Sequence, residues 1–213
     1  MIERAIAAGV NGAARLITGV RGEWRGCLPE ARPRIYFANH RSHGDFVLIW
    51  SVLPAALRAR TRPVAAADYW GAGLRRYLGE RVFGAVLVER EGARRARNRD
   101  DGDPTLPLLA ALDAGHSLIL FPEGTRNTGE APLLPFKSGL YRLARQRPET
   151  ELVPVWIDNL NRVLPKGEFV PVPLLCTVTF GAPIRVVDGE GNVPFRERSR
   201  AALLGLGGER REA

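Results

Sequence analysis

With 213 residues, 45% of them hydrophobic and 25% charged, the chain has the make-up and length of one ordinary globular domain with a sizeable core, which excludes disordered and fibrous classes. A formal net charge of +8 favours an anionic partner: nucleic acid, anionic lipid headgroups or a phosphorylated substrate. The basic side chains are nearly all arginine, with lysine only at positions 137 and 166, and arginine grips phosphate in a planar fork while keeping its charge when partly buried.

Cys27 and Cys176 do not make a disulfide framework and no CxxC occurs, so a reducing compartment is expected. No apolar run approaches the roughly 20 residues of a spanning helix. The start, MIERAIAAGVNGAARL, lacks the compact apolar block of a signal peptide. A soluble chain, or one lying on a membrane surface, is the expectation.

The elements follow in order. Ile2, Ile6, Val10, Ala13, Ile17 and Val20 recur at helical spacing, with Arg4, Asn11 and Arg15 falling largely elsewhere. This predicts an amphipathic helix, weakened by Gly9, Gly12 and Gly19, that either packs on the core or dips its apolar face into a bilayer. Trp24 and Arg25 fall in a Gly-flanked loop, so residues 1–30 form an amphipathic segment and membrane-contact candidate preceding a main domain over 31–213. Strands are predicted over 34–38, 63–67, 84–88, 117–121, 152–157 and 175–180. Helices are predicted over 45–57, 70–78, 107–114, 137–147 and 194–204. The alternation predicts an α/β protein, a three-layer sandwich whose mostly parallel or mixed central sheet is flanked by helices. Residues 89–103 form a charged loop, and 132–135 and 159–173 proline-rich loops.

His40 follows the apolar strand RIYFA by two residues, and Asp45 falls in the first turn of the next helix. The chain between them can fold back so that the carboxylate orients the imidazole and leaves its other nitrogen as a base. A helix-capping aspartate beside an incidental histidine fits the same spacing. His43 is a second base or a turn residue; no His/Cys cluster completes a metal site around it, so no metal is expected. His116 reads as a turn residue. The strand SLIL leads into Phe121-Pro122-Glu123-Gly124-Thr125-Arg126. Gly124 lets backbone approach a ligand, Thr125 offers a hydroxyl and Arg126 a fork for phosphate oxygens. Glu123 would repel phosphate and is expected to orient Arg126 or brace the turn. Arg90, after the strand AVLV, emerges near the same sheet edge and is a second phosphate candidate.

Four stretches stand in order along the chain: NHRSHGD, GAVLVER, FPEGTRN and LVPVWI, with PFKSGLYRLA, LPKG and TFGAPI between and after them. In these the chain resembles the 1-acylglycerol-3-phosphate acyltransferases of bacterial phospholipid biosynthesis, a lysophospholipid acyltransferase group whose first motif is His-x4-Asp. The resemblance runs from about Arg34 to Ile184. It implies acyl transfer from acyl-CoA or acyl-carrier protein, used as substrate with no bound cofactor, to a lysophospholipid hydroxyl, by default that of lysophosphatidic acid. His40 would take the hydroxyl proton and Asp45 would hold the imidazole. Backbone amides near the His40 turn would meet the oxyanion. Arg90, Glu123, Gly124, Thr125 and Arg126 would form the acceptor-phosphate site. Phe46, Leu48, Ile49 and Trp50 either line an acyl groove or pack the core. The implied setting is peripheral, on the cytoplasmic face of an anionic membrane surface. The stretch VAAADYW lacks the lysine that members often carry there, and Glu89 stands where Asp is common. An acyltransferase with another lysolipid or amino-acid lipid acceptor is the alternative. A non-catalytic lipid- or nucleic-acid-binding protein is a weaker one; the arginines are spread out with no aromatic-basic motif, so no nucleic acid is expected.

Overall fold

The computed structural model describes residues 1–67, 73–89, 103–158 and 175–208. Among these, the chain runs α1 (Ile2–Thr18), β1 (Arg21–Trp24), β2 (Arg34–Ala38), α2 (Asp45–Val52), α3 (Ala55–Ala59), β3 (Thr61–Ala66) and α4 (Gly73–Tyr77). A π-helical turn, Leu78–Val82, continues α4. Then come β4 (Val86–Val88), α5 (Leu106–Asp113), β5 (Ser117–Leu120), α6 (Gly139–Gln146), β6 (Glu151–Asp158), β7 (Thr177–Phe180) and α7 (Asn192–Gly208).

The strands build one sheet in the order β1-β7-β6-β2-β5-β3-β4. All neighbours are parallel except β6 and β7. Side chains alternate across the sheet, so β2 sends Tyr36 and Ala38 to one face and Ile35 and Phe37 to the other. Tyr36 and Ala38 join Leu48, Ile49 and Trp50 of α2, with Ala7 and Val10 of α1 packed against them. Ile35 and Phe37 join Leu108 and Leu112 of α5, Leu140 and Leu143 of α6 and Phe195 and Leu203 of α7. The result is the three-layer α/β sandwich. Being covered on both faces explains why RIYFA, SLIL and LVPVWI read as unbroken apolar runs.

The connections set the site. From β2 the chain crosses through α2 to β3, toward one edge of the sheet. From β5 it crosses through α6, on the opposite face, to β6. Adjacent strands whose connections part in opposite directions leave a crevice at their carboxyl ends. Residue 40 follows β2 and residue 123 follows β5, so both loops open into that crevice.

Local departures from the sequence reading have physical causes. The helix predicted over 45–57 breaks between α2 and α3, because Leu53 precedes Pro54 and takes an extended conformation (φ −64°, ψ 140°). Residues 21–24, placed with an N-terminal loop, are a strand of the sheet. Their short RGEW pattern carries no strand signal of its own; Trp24 pairs with Phe180 of β7 and their rings stack at 4.0 Å. In α1 the inward face is rotated from the expected stripe. Ala7, Val10, Ala14 and Thr18 turn inward, whereas Ile2, Ala13, Leu16 and Ile17 are exposed. Small residues allow α1 to pack closely on α2, and the bulkier ones are left outside. The helix predicted over 70–78 lies partly outside the described residues, as do most of the 89–103 loop and the 159–173 loop.

Candidate active site

His40 is set by anchors on both sides. The side chain of Asn39 acts as one more rung of the sheet: its amide donates to the Ile157 carbonyl at 2.9 Å and its oxygen accepts from the Ile157 N–H at 2.8 Å. The chain then turns, and the Asp45 carboxylate at the start of α2 reaches back into it. Asp45 Oδ2 accepts from His40 Nδ1 at 2.8 Å, from the Arg41 N–H at 2.7 Å and from the Ser42 N–H at 2.8 Å. Asp45 is 1% exposed. A carboxylate at that place fixes the imidazole tautomer with its proton on Nδ1, leaving Nε2 as the acceptor. The ring lies on Phe121, centroids 4.1 Å apart and planes 19° from parallel, and remains partly open to solvent.

The loop after β5 holds the same histidine from the other side. Glu123 Oε1 accepts from the His40 N–H and Oε2 from the Leu134 N–H, both at 2.8 Å. The Asn127 N–H donates to the His40 carbonyl at 2.7 Å. Asn127 is itself fixed, accepting from the Gly129 N–H at 3.0 Å and donating to the Ala131 carbonyl at 2.7 Å. Arg41 Nη2 donates to the same carbonyl at 2.8 Å. Both backbone groups of His40 are thus clamped by the Glu-Gly-Thr-Arg-Asn loop.

This arrangement corrects the place of Glu123. It is 1% exposed with both oxygens taken by backbone donors, so it braces His40 and does not face an acceptor phosphate. Burial pushes its carboxyl up from the usual range, and the two N–H donors work against that shift. Glu123→Gln would turn an amide donor against one of those N–H groups. The expected result is a loss of about 1–3 kcal/mol of stability in denaturant melts. With it comes a lower kcat at unchanged acceptor KM; the reverse pattern would return Glu123 to the acceptor pocket.

The amides of the His40 turn are also spoken for: those of residues 41 and 42 on Asp45, and that of residue 40 on Glu123. They do not serve an oxyanion. Past Gly124, which takes φ +70° with the Lys137 stem against its α-carbon face, the N–H groups of Thr125 and Arg126 have no acceptor among the described residues. Thr125 and Arg126 are both exposed. Arg90 lies outside the described residues.

Asn39, Asn127 and Lys137 were not singled out from the sequence. Asn127 was legible only as the end of FPEGTRN, and Lys137 only as part of PFKSG. The Asn39 role depends on a partner 118 residues away. Leu48, Ile49 and Trp50 are buried core residues, while Phe46 is partly buried against Phe83 at 5.0 Å between centroids. No group of three or more His, Cys, Asp or Glu among the described residues is arranged to hold a metal ion.

A family model described as Acyltransferase matches residues 23–158. A 1-acyl-sn-glycerol-3-phosphate acyltransferase from Limnanthes alba is 42% identical over 72 residues, 34% of this chain and 25% of the relative. A lyso-ornithine lipid O-acyltransferase from Rhizobium meliloti is 31% identical over 131 residues, 62% of this chain and 40% of the relative. The chain therefore spans less than half the length of these curated relatives. Among solved structures, the 1-acyl-sn-glycerophosphate acyltransferase PlsC from Thermotoga maritima superposes with a TM-score of 0.67 at 18% identity, covering 98% of this chain and 81% of that one, which shows a shared fold. The family match, over well more than half of the chain, takes in both loops that meet at the histidine, and the protein belongs to the acyltransferase family.

Proposed function

We propose that the chain is an O-acyltransferase that moves a fatty acyl group from a thioester, acyl-CoA or acyl-carrier protein, to the free hydroxyl of 1-acylglycerol-3-phosphate, giving phosphatidic acid. The observation that carries this reading is a tautomer-fixed imidazole with Nε2 open, locked to the loop that bears Arg126. Nε2 takes the hydroxyl proton as the oxygen attacks the thioester carbonyl. Asp45 supports the imidazolium that forms. The tetrahedral oxyanion is met by the unspent N–H groups of Thr125 and Arg126. Collapse breaks the carbon–sulfur bond, and the proton passes from Nε2 to the departing thiolate. The acceptor is the nucleophile, so no acyl-enzyme forms, and the donor is a substrate with no cofactor needed.

The setting is a membrane surface. Among the described residues no helix is long and apolar enough to cross a membrane. The outward face of α1 is nonetheless apolar, with Ile2, Leu16 and Ile17 exposed, and Leu175 is exposed beside its carboxyl end. Thr177 pairs with Asp158 at the carboxyl end of β6, so this apolar end of α1 stands at the same edge of the sheet as His40. An interfacial helix there brings the site to lipid acceptors. The net charge of +8 favours the anionic, cytoplasmic face of the membrane.

A second acceptor class is favoured by the likeness to a lyso-ornithine lipid enzyme. Lysolipids with and without a phosphate, offered with both donor types and followed by product mass spectrometry, decide between them. With a phosphate acceptor, Arg126→Ala is expected to raise KM about 10- to 100-fold, the effect of losing one charge-assisted hydrogen bond. If it raises KM equally for an acceptor lacking phosphate, Arg126 does not read that group.

A further inference from the structure

A cavity of about 460 Å³ lies at the end of the molecule away from His40, under the start of α1. It is bounded by the end of α2, by α3, by the first residues of β3 and by the π-helical turn. Its charge is one-sided: Arg4, Arg58, Arg62 and Arg81 all line it. The carboxylate lining it is Glu3, which lies 3.6 Å from the N-terminal ammonium. Among the described residues none of the four arginines has a carboxylate partner within salt-bridge distance.

Two of these arginines are held in place by neutral groups. Arg58 is partly buried, its guanidinium 5.2 Å from the centre of the Trp50 ring. Its hydrogen bonds, to Asn11 Oδ1 and to the carbonyls of Ser51 and Leu53, are all 3.4 Å long and all made by Nη1. Arg62 is likewise partly buried and lies against Gly84, which takes φ +59°. A β-carbon at that glycine would sit 2.9–3.0 Å from the Arg62 side chain, so the missing side chain is what makes room for the guanidinium. Burial lowers the proton affinity of both guanidinium groups, an unfavourable state for cations with no carboxylate partner among the described residues. Arg81 and Val82 come from the π-helical turn, an irregularity that recurs at functional sites. Trp50, Val82 and Phe83 make the rest of the wall apolar, and the volume suits a small organic ligand and not only a lone ion.

We propose that this cavity binds an amphiphilic phosphate, the phosphate among Arg4, Arg58, Arg62 and Arg81 and the apolar part against Trp50 and Phe83. The site is separate from the transfer site and does not depend on its assignment. A phospholipid headgroup and a free phosphate ester are the two sources of the same chemistry.

The test uses the full chain and the double variant Arg62→Gln/Arg81→Gln. Inorganic phosphate is expected to raise the melting temperature of the wild type and not of the variant. Flotation with phosphatidylcholine vesicles, with and without phosphatidic acid, reads the lipid source. There the variant is expected to lose about tenfold or more of the affinity that phosphatidic acid adds. A loss in either arm supports the site, and the arm that responds names the ligand's source. Turnover on a short-chain soluble acceptor stays at the wild-type level. Should the double variant fail to fold, Arg4→Gln, on an exposed helix position, gives the same comparison. A folded variant that matches the wild type in both arms overturns the proposal, as does loss of turnover with binding intact.

Discussion

His40→Ala is expected to lower kcat by at least 10²- to 10⁴-fold, roughly the contribution of a positioned general base, with both substrate KM values nearly unchanged. At the β2–β5 crevice the ring has a tautomer fixed by Asp45 and stacks on Phe121. The fold should survive. What is lost is the stacking on Phe121 and the hydrogen bond to Asp45, each worth on the order of 1 kcal/mol. The Asn39 and Asn127 bonds that hold this stretch use other atoms. Steady-state kinetics beside a denaturant melt separates the two effects. Wild-type kcat in a folded His40→Ala protein would remove the imidazole from the chemistry.

Asp45→Asn should cost a similar factor, about 10³- to 10⁴-fold in kcat, for a different reason. A neutral amide can still accept from the backbone N–H groups of Arg41 and Ser42, so the turn keeps its shape. It no longer fixes the tautomer by charge, and it does not stabilise the imidazolium that forms when the hydroxyl proton moves. Asp45→Ala goes further. It leaves buried donors without an acceptor and is expected to lower stability by about 2–5 kcal/mol. The pair of variants distinguishes an electrostatic from a purely structural brace. If Asp45→Asn turns over at the wild-type rate while Asp45→Ala unfolds, the carboxylate only shapes the loop.

Much of this was legible in the chain because the informative pieces are local. RIYFA and SLIL are apolar strands followed at once by polar, turn-forming motifs, which places His40 and Glu123 at strand ends. The alternation of elements carried the layer architecture. What local pattern does not encode is the long-range partner. Glu123 binds the His40 N–H across 83 residues, and nothing in PEGTR distinguishes a backbone brace from a ligand contact. The expectation of free amides at the His40 turn failed for the same reason: one carboxylate oxygen uses two of them. Strand β1 escaped because RGEW is too short for a period, and it exists through its pairing with β7. The inward face of α1 escaped because apolar residues occur on both of its faces, so periodicity did not single out the one packed on α2.

Direct transfer to the acceptor, with His40 as base and no covalent intermediate, is tested most directly by thiol release from acyl-CoA in a single turnover. It is run with and without lysophosphatidate and read alongside the intact mass of the protein. The expected result is thiol release and phosphatidate only when the acceptor is present, an unchanged protein mass, and neither product with His40→Ala. Thiol release without acceptor together with a protein heavier by one acyl group, or undiminished transfer by the folded His40→Ala variant, would contradict it.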